Sequence, residues 1–142
     1  MNTDILVAPE LNEEFIDSKK YIVRDQKVML DFELAEIYGY ETKNFSRQVK
    51  NNIAKFDKDF MFQLTKEEYI EILRCKNFTS RIWTDGNKGG RTYLPCVFAE
   101  QGIYMLMTVL KSELAIKQSK SLIRLFKSMK ESYLSSSTKF KN

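Results

Sequence analysis

The side chains with the most chemistry to offer lie in residues 28–56, VMLDFELAEIYGYETKNFSRQVKNNIAKF. Arginine can bond guanine edges, asparagine can bond adenine edges, and lysine and arginine both contact phosphates. Placed on a helical wheel at about 100° per residue, Asn44, Arg47, Asn51 and Ala54 share one side, with Lys43 and Lys50 on its flank. Phe45, Val49, Ile53 and Phe56 fall in the opposite, apolar sector. Ala54 removes bulk that would hold such a helix away from a groove. This face suits a nucleic-acid duplex. The alternative is an amphipathic helix whose charged side is merely solvated, as most such sides are.

Positioning that helix requires a partner just before it. Asp31 follows a strand-like run and can cap a helix start, with Glu33 favoured near the positive end of the dipole. Leu34, Ala35, Ile37 and Tyr38 supply the buried side, Gly39 ends the helix in the left-handed region, and Thr42 is the next cap candidate. The spacing Ala35…Gly39 fits a helix-turn-helix, although Gln48 stands where an apolar residue is usual and Val49 takes over one place later.

What is missing narrows the chemistry. The chain has no histidine, which removes Ser–His and Cys–His nucleophile pairs and His-containing zinc sites. Cys75 and Cys96 stand far apart without CxxC spacing and read as two reduced thiols. Gly86, Gly89 and Gly90 form neither a GxxxxGK[ST] loop nor a GxGxxG turn. The expectation is a non-enzyme with no cofactor and no metal.

At 142 residues one domain is expected, and no apolar run is long enough to span a bilayer. Asp4, Glu10, Glu13, Glu14 and Asp17 make the N-terminus unlike a signal or transit peptide. A cytoplasmic protein is expected. The net charge is only +4 but unevenly spread, with basic zones at 43–58, 74–91 and from Lys111 onward. Local basic patches suit a polyanion, and they also occur in proteins that bind nothing acidic.

Further along, residues 1–18 read as a flexible arm or a short peripheral helix, and 21–30 as a hairpin or two short strands turning at Asp25 and Gln26. Residues 59–64, DFMFQL, read as a strand, and Thr65 with Glu68 as a capping box opening a helix. Arg91 to Leu94 reads as a strand that Pro95 stops. If these strands pair, the 85–91 loop projects as a wing, bringing Lys88, Arg91 and Arg81 to the edge; otherwise it is a mobile surface loop. Helical spacing resumes at Phe98 through Ile103, Leu106, Met107 and Leu110, with Gly102 permitting a close crossing. Ser112 caps a last helix whose apolar positions include Ile116, Leu122, Ile123, Leu125, Phe126 and Met129. Its face must pack on the domain, on a second copy of the chain, or on both.

Two blocks, KVMLDFELAEIYGYETKNFSRQVKNNIAKFDKDFMFQLTKEE and GGRTYLPCVFAEQGIYMLMTVLKSELAI, together resemble phage antirepressor-type DNA-binding domains of the KilA-N and Bro-N superfamily, ORF6N-like in order and spacing across about residues 20–127. The resemblance implies an α+β fold: a winged-helix-like core with a helix-turn-helix, a small antiparallel sheet and a long C-terminal helix. It implies a prophage or bacterial transcriptional regulator directed by DNA sequence, on the nucleoid when bound. By the same token QVKNNIAKF marks Arg47, Lys50 and Asn51 as contacts, beside Lys43 and Asn44, and GGRTYLP adds Lys88 and Arg91 from the wing. Glu100 and Gln101 are read as helix caps and buried hydrogen bonds. The expected organisation is an acidic arm over 1–19, a DNA-binding domain over 20–132 and a disordered tail over 133–142. Such domains often precede a C-terminal module, for which this chain has no room, so it is either a minimal regulator or a fragment. Expected partners are double-stranded DNA, a second copy through the C-terminal helix, and a repressor protein; no membrane is expected. The competing reading is a protein-interaction module that binds a repressor without touching DNA.

Overall fold

The computed structural model describes residues 8–75 and 93–141, with backbone alone for 133–141. The acidic N-terminal segment forms a short helix, Glu13–Ser18 (α1), started by the Asn12 carboxamide oxygen, which accepts from the Phe15 amide at 2.7 Å. Ile16 is fully buried, so this segment is docked rather than free.

Tyr21–Val23 (β1) and Gln26–Leu30 (β2) pair antiparallel, with Val23 opposite Gln26. The turn is therefore Arg24 and Asp25, one residue earlier than the sequence reading placed it. Both have positive φ, 53° and 64°, as in a type I′ turn whose twist matches its strands. Neither is glycine, and the strain is offset from outside. Arg24 Nε donates to Glu68 Oε2 at 2.8 Å, and its guanidinium lies 4.1 Å from the Phe62 ring centroid.

Met61–Gln63 (β3) and Cys96–Phe98 (β4) complete a four-stranded antiparallel sheet in the order β1-β2-β4-β3. The second of these was expected before Pro95 and lies after it. Proline has no amide hydrogen to give a ladder and suits the position just ahead of a strand; its carbonyl here accepts from the Leu64 amide at 2.9 Å. The pairing Met61↔Phe98 and Gln63↔Cys96 follows from that register.

Alternation along the central strands splits the core into two layers. Met29 and Phe98 face one side, with Ile16, Leu34, Phe45, Leu122 and Phe126. Val28, Leu30 and Val97 face the other, onto Tyr69, Ile72 and Leu73 of Lys66–Cys75 (α4). That helix opens with the expected capping box: the Thr65 amide donates to Glu68 Oε1 at 2.8 Å and the Glu68 amide to Thr65 Oγ1 at 3.1 Å.

Glu100–Leu106 (α5) begins immediately after β4, so Phe98 belongs to the sheet rather than to the helix. A methyl group on Gly102 would collide with the backbone carbonyl of Phe60, which accepts from the Ala99 amide at 3.0 Å. Ser112 caps Glu113–Lys141 (α6), its Oγ accepting from the Ala115 amide at 3.1 Å. The helix continues through 133–141, the stretch read above as a tail. Its buried stripe is Ala115, Gln118, Ser119, Leu122 and Phe126, while Ile116 and Ile123, expected on the apolar side, are 46% and 47% exposed. Mixed helix and sheet in these proportions is the expected α+β class.

Candidate nucleic-acid interface

The helix pair forms as Asp31–Tyr38 (α2) and Thr42–Asn51 (α3), joined by residues 39–41. Gly39 has φ 78°, and the Tyr40 amide donates to Ala35 O at 2.8 Å while the Gly39 amide donates to Glu36 O at 3.1 Å. This is the Schellman arrangement that closes a helix on a left-handed residue. A side chain on Gly39 would also strike Leu114 of α6.

Two expected caps are corrected. Leu30 and Glu41 occupy the N-cap positions without side-chain bonds, and Asp31 and Thr42 are the first helical residues. The Asp31 carboxylate is drawn across the sheet instead. It accepts from Tyr93 Oη at 2.7 and 2.8 Å and from the Cys96 amide at 3.0 Å, which ties the entry to β4 to the start of α2. Burial pushes the Asp31 carboxyl up, although the Cys96 amide and Tyr93 hydroxyl pull it back. The Cys96 thiol rises to about 11, mainly by burial and then through the Asp31 charge, with Lys50 opposing. Both cysteines are free, as read from the sequence.

α3 is held by Phe45 and Val49, both buried. The Phe45 and Phe56 rings each meet Phe98 edge-on, at 5.7 and 5.8 Å between centroids. A straight helix would set residues eleven apart about 16 Å along its axis, too far for both rings to touch a third. The helix therefore ends at Asn51. Asn52 Nδ2 donates back to Gln48 O at 2.9 Å, and Ile53–Lys55 turn as a short 3-10 segment that swings Phe56 into the core. Two expectations fail for this reason: Ile53 is 55% exposed rather than buried, and Ala54 lies beyond the helix rather than in the middle of its outer face.

On the outer side, the structure brings five of the seven expected contact residues together. Lys43, Arg47, Lys50 and Asn51 are exposed and Asn44 is half-exposed; at about 100° per residue they cover roughly a third of the helix circumference. Arg47 Nη2 donates to Asn44 Oδ1 at 2.7 Å, which aligns the guanidinium along the face. α3 carries no Asp or Glu, and among the described residues none of its cations is paired with a carboxylate. Lys50 in the last turn also complements the helix dipole. Beyond the helix, Lys55 Nζ donates to Thr108 Oγ1 at 3.2 Å. Lys88 and Arg91, with Arg81 and the wing loop, lie outside the described residues.

Residues 18–109 match the model of the ORF6N domain. The chain belongs to the ORF6N domain family. This is a KilA-N/Bro-N-like, phage antirepressor-type family, as the resemblance implied, and it fits a phage-type regulatory domain. No curated protein and no solved structure matches the chain. Among the described residues, no helix of the ORF6N domain chain is long and apolar enough to cross a membrane, and no group of three or more acidic or thiol side chains is gathered to hold a metal ion.

Two polar residues take roles the sequence reading did not assign. Glu100, read as a cap, instead ties α5 to α6: its Oε2 accepts from Lys130 Nζ at 2.8 Å and from Tyr104 Oη at 2.6 Å. Burial acts to raise its pKa, but these hydrogen bonds outweigh it and the net shift is downward. Gln101, read with it, is exposed. The second is Gln118, whose buried carboxamide donates to Ile37 O at 2.8 Å and Pro9 O at 3.2 Å. It satisfies a carbonyl at the end of α2. A lone glutamine in a helical pattern gives no local sign of such a role.

Proposed function

We propose that this ORF6N domain reads double-stranded DNA in a prophage or bacterial regulator, with α3 in the major groove. The observation that carries the reading is the outer face of α3: three cations and two carboxamides, unopposed by any carboxylate on the helix. Lys43 and Lys50 reach phosphates, while Arg47, Asn44 and Asn51 reach base edges. Lys88 and Arg91 add phosphate contacts from the 85–91 loop acting as a wing. The domain acts by binding, not catalysis, and works in the cytoplasm on the nucleoid.

The test is selection from a pool of random duplexes, followed by affinity measurements on the enriched sequence. Arg47→Ala should cost about 1–3 kcal/mol on the preferred site and blur the motif at one position. An Arg47→Ala protein that binds its best duplex as tightly as the parent would defeat the reading.

One observation favours a second reading. Ile116 and Ile123, seven residues apart on α6, are about half exposed, which suits pairing with a second copy or with a repressor protein. Salt separates the two: partner binding through an apolar strip would scarcely respond to ionic strength.

A further inference from the structure

A cleft of about 450 Å³ opens between the end of α1, the β1–β2 hairpin, the start of α5 and the side of α6. It is of the size that small-molecule sites have, roughly 300–1,000 Å³. Three lysines, Lys20, Lys27 and Lys130, line it against two acidic residues, Asp17 and Glu100. Glu100 is already engaged by Lys130 and Tyr104. Neither Lys20 nor Lys27 is paired with a carboxylate among the described residues.

Lys20 is half-buried, with its Nζ 5.1 Å from the centroid of the Phe126 ring. Burial, then Lys27 and Lys130, push its pKa below the ordinary lysine value, with Glu100 and Asp17 only partly compensating. Cations gathered this way repel each other, and a bound anion relieves both the repulsion and the desolvation. The wall beside them is apolar, formed by Met129 and Phe126. An adjoining hollow of about 290 Å³ shares Lys20, Lys27, Glu100 and Phe126 and is floored by core side chains, Phe98 among them.

We propose that this cleft is a binding site for a small organic anion, its charged head between Lys20 and Lys27 and its apolar body against Met129 and Phe126. The site is separate from α3 and does not depend on the DNA reading. None of its cations belongs to the recognition face.

The probe is 8-anilinonaphthalene-1-sulfonate, an apolar ring system with one anionic group, titrated into the full chain without DNA and followed by its fluorescence. One saturable site per chain is expected. Lys20→Gln/Lys27→Gln should weaken it at least tenfold, and Lys20→Arg should retain it. Lys66→Gln/Lys117→Gln, which removes the same charge elsewhere, should leave it unchanged. The uncharged N-phenyl-1-naphthylamine should bind at least tenfold more weakly. Displacement by adenosine monophosphate but not benzoate assigns a phosphate head, and the reverse assigns a carboxylate. Absence of saturable binding, equal affinity in a folded Lys20→Gln/Lys27→Gln protein, or equal affinity for the uncharged analogue overturns the proposal.

Discussion

If α3 binds DNA as proposed, raising salt from 50 to 200 mM should loosen that hold by an amount set by side chains that can be counted. α3 offers three exposed cations, Lys43, Arg47 and Lys50, with no carboxylate on the helix to neutralise them. With Arg47 on a base edge, Lys43 and Lys50 neutralise phosphates; each contributes about −0.9 to the slope of log affinity against log salt, so α3 alone supplies about −1.8. Adding Lys88 and Arg91, the proposed wing contacts, brings the slope to about −3.6. Over that fourfold change in salt the two cases predict a loss of roughly 12-fold and roughly 150-fold respectively. Fluorescence anisotropy on a labelled duplex at five salt concentrations reads the slope directly. Lys50→Gln should flatten it by about 0.9, and Lys88→Gln/Arg91→Gln should return it to about −1.8. A Lys43→Gln/Arg47→Gln/Lys50→Gln protein that keeps the parent slope would refute the assignment of α3 as the contacting element. A parent slope shallower than about −1 would refute the phosphate count altogether.

Other substitutions test how the interface is held. Gly102→Ala should drive a methyl into the Phe60 carbonyl and cost about 1–3 kcal/mol, lowering the melting temperature by roughly 3–10 °C; an unchanged melt would mean that α5 sits further from Phe60 than described. Gln118→Leu removes the donor to the Ile37 and Pro9 carbonyls and should cost about 1–3 kcal/mol in a urea titration, whereas a neutral result would mean that water replaces the carboxamide. Hydrogen bonding from Arg24, helped by the Thr65 amide, holds the Glu68 carboxyl down to about 2 against an ordinary value of 4.5. A carboxylate depressed on folding stabilises above its unfolded value and loses that contribution as pH falls through its folded one. The urea midpoints of the parent and Glu68→Gln should therefore differ at neutral pH and converge between pH 4.5 and about 2; a gap constant with pH would exclude the Arg24–Glu68 pair as its source.

The signals that could be read from sequence were the local ones. Gly39, the Thr65–Glu68 box and Ser112 act within four residues of themselves, and the structure uses each as expected. The outer face of α3 was legible for the same reason, since one helix's periodicity places all five residues. What escaped depends on partners far along the chain. Asp31 looked like a cap because its neighbours are helical, but Tyr93 and Cys96, more than sixty residues away, offer it better donors. α3 looked longer because Phe56 keeps the helical phase; only the position of Phe98 reveals that the chain must fold back. Ile116 and Ile123 read as part of the apolar face of the last helix, whose partner the sequence leaves open, whereas the core takes Gln118 and Ser119 from that helix, one of them because a carbonyl at the end of α2 needs a donor. The cleft lysines come from separate elements, α6 among them, and share no motif.

The family match ends at residue 109, but the core does not. Ile16 on α1 and Ala115, Leu122 and Phe126 on α6 belong to the apolar cluster that backs Phe45 and Phe98. Gln118 from α6 closes the end of α2, and Leu114 covers Gly39 at the turn before α3. Burying a large apolar side chain is worth about 1.5–3 kcal/mol, so losing Ile16, Leu122 and Phe126 together removes roughly 4–9 kcal/mol. That is comparable with the whole stability of an ordinary domain, about 5–15 kcal/mol. A fragment of residues 18–109 should therefore lack a cooperative unfolding transition, whereas residues 8–132 should melt as the full chain does. Circular dichroism during urea titration distinguishes them. If the 18–109 fragment unfolds with the midpoint and slope of the full chain, then α1 and α6 are accessories and α3 is positioned without them. If it does not, the recognition helix depends on a helix outside the matched segment, and substitutions along the buried stripe of α6 should weaken DNA binding in proportion to the stability they remove.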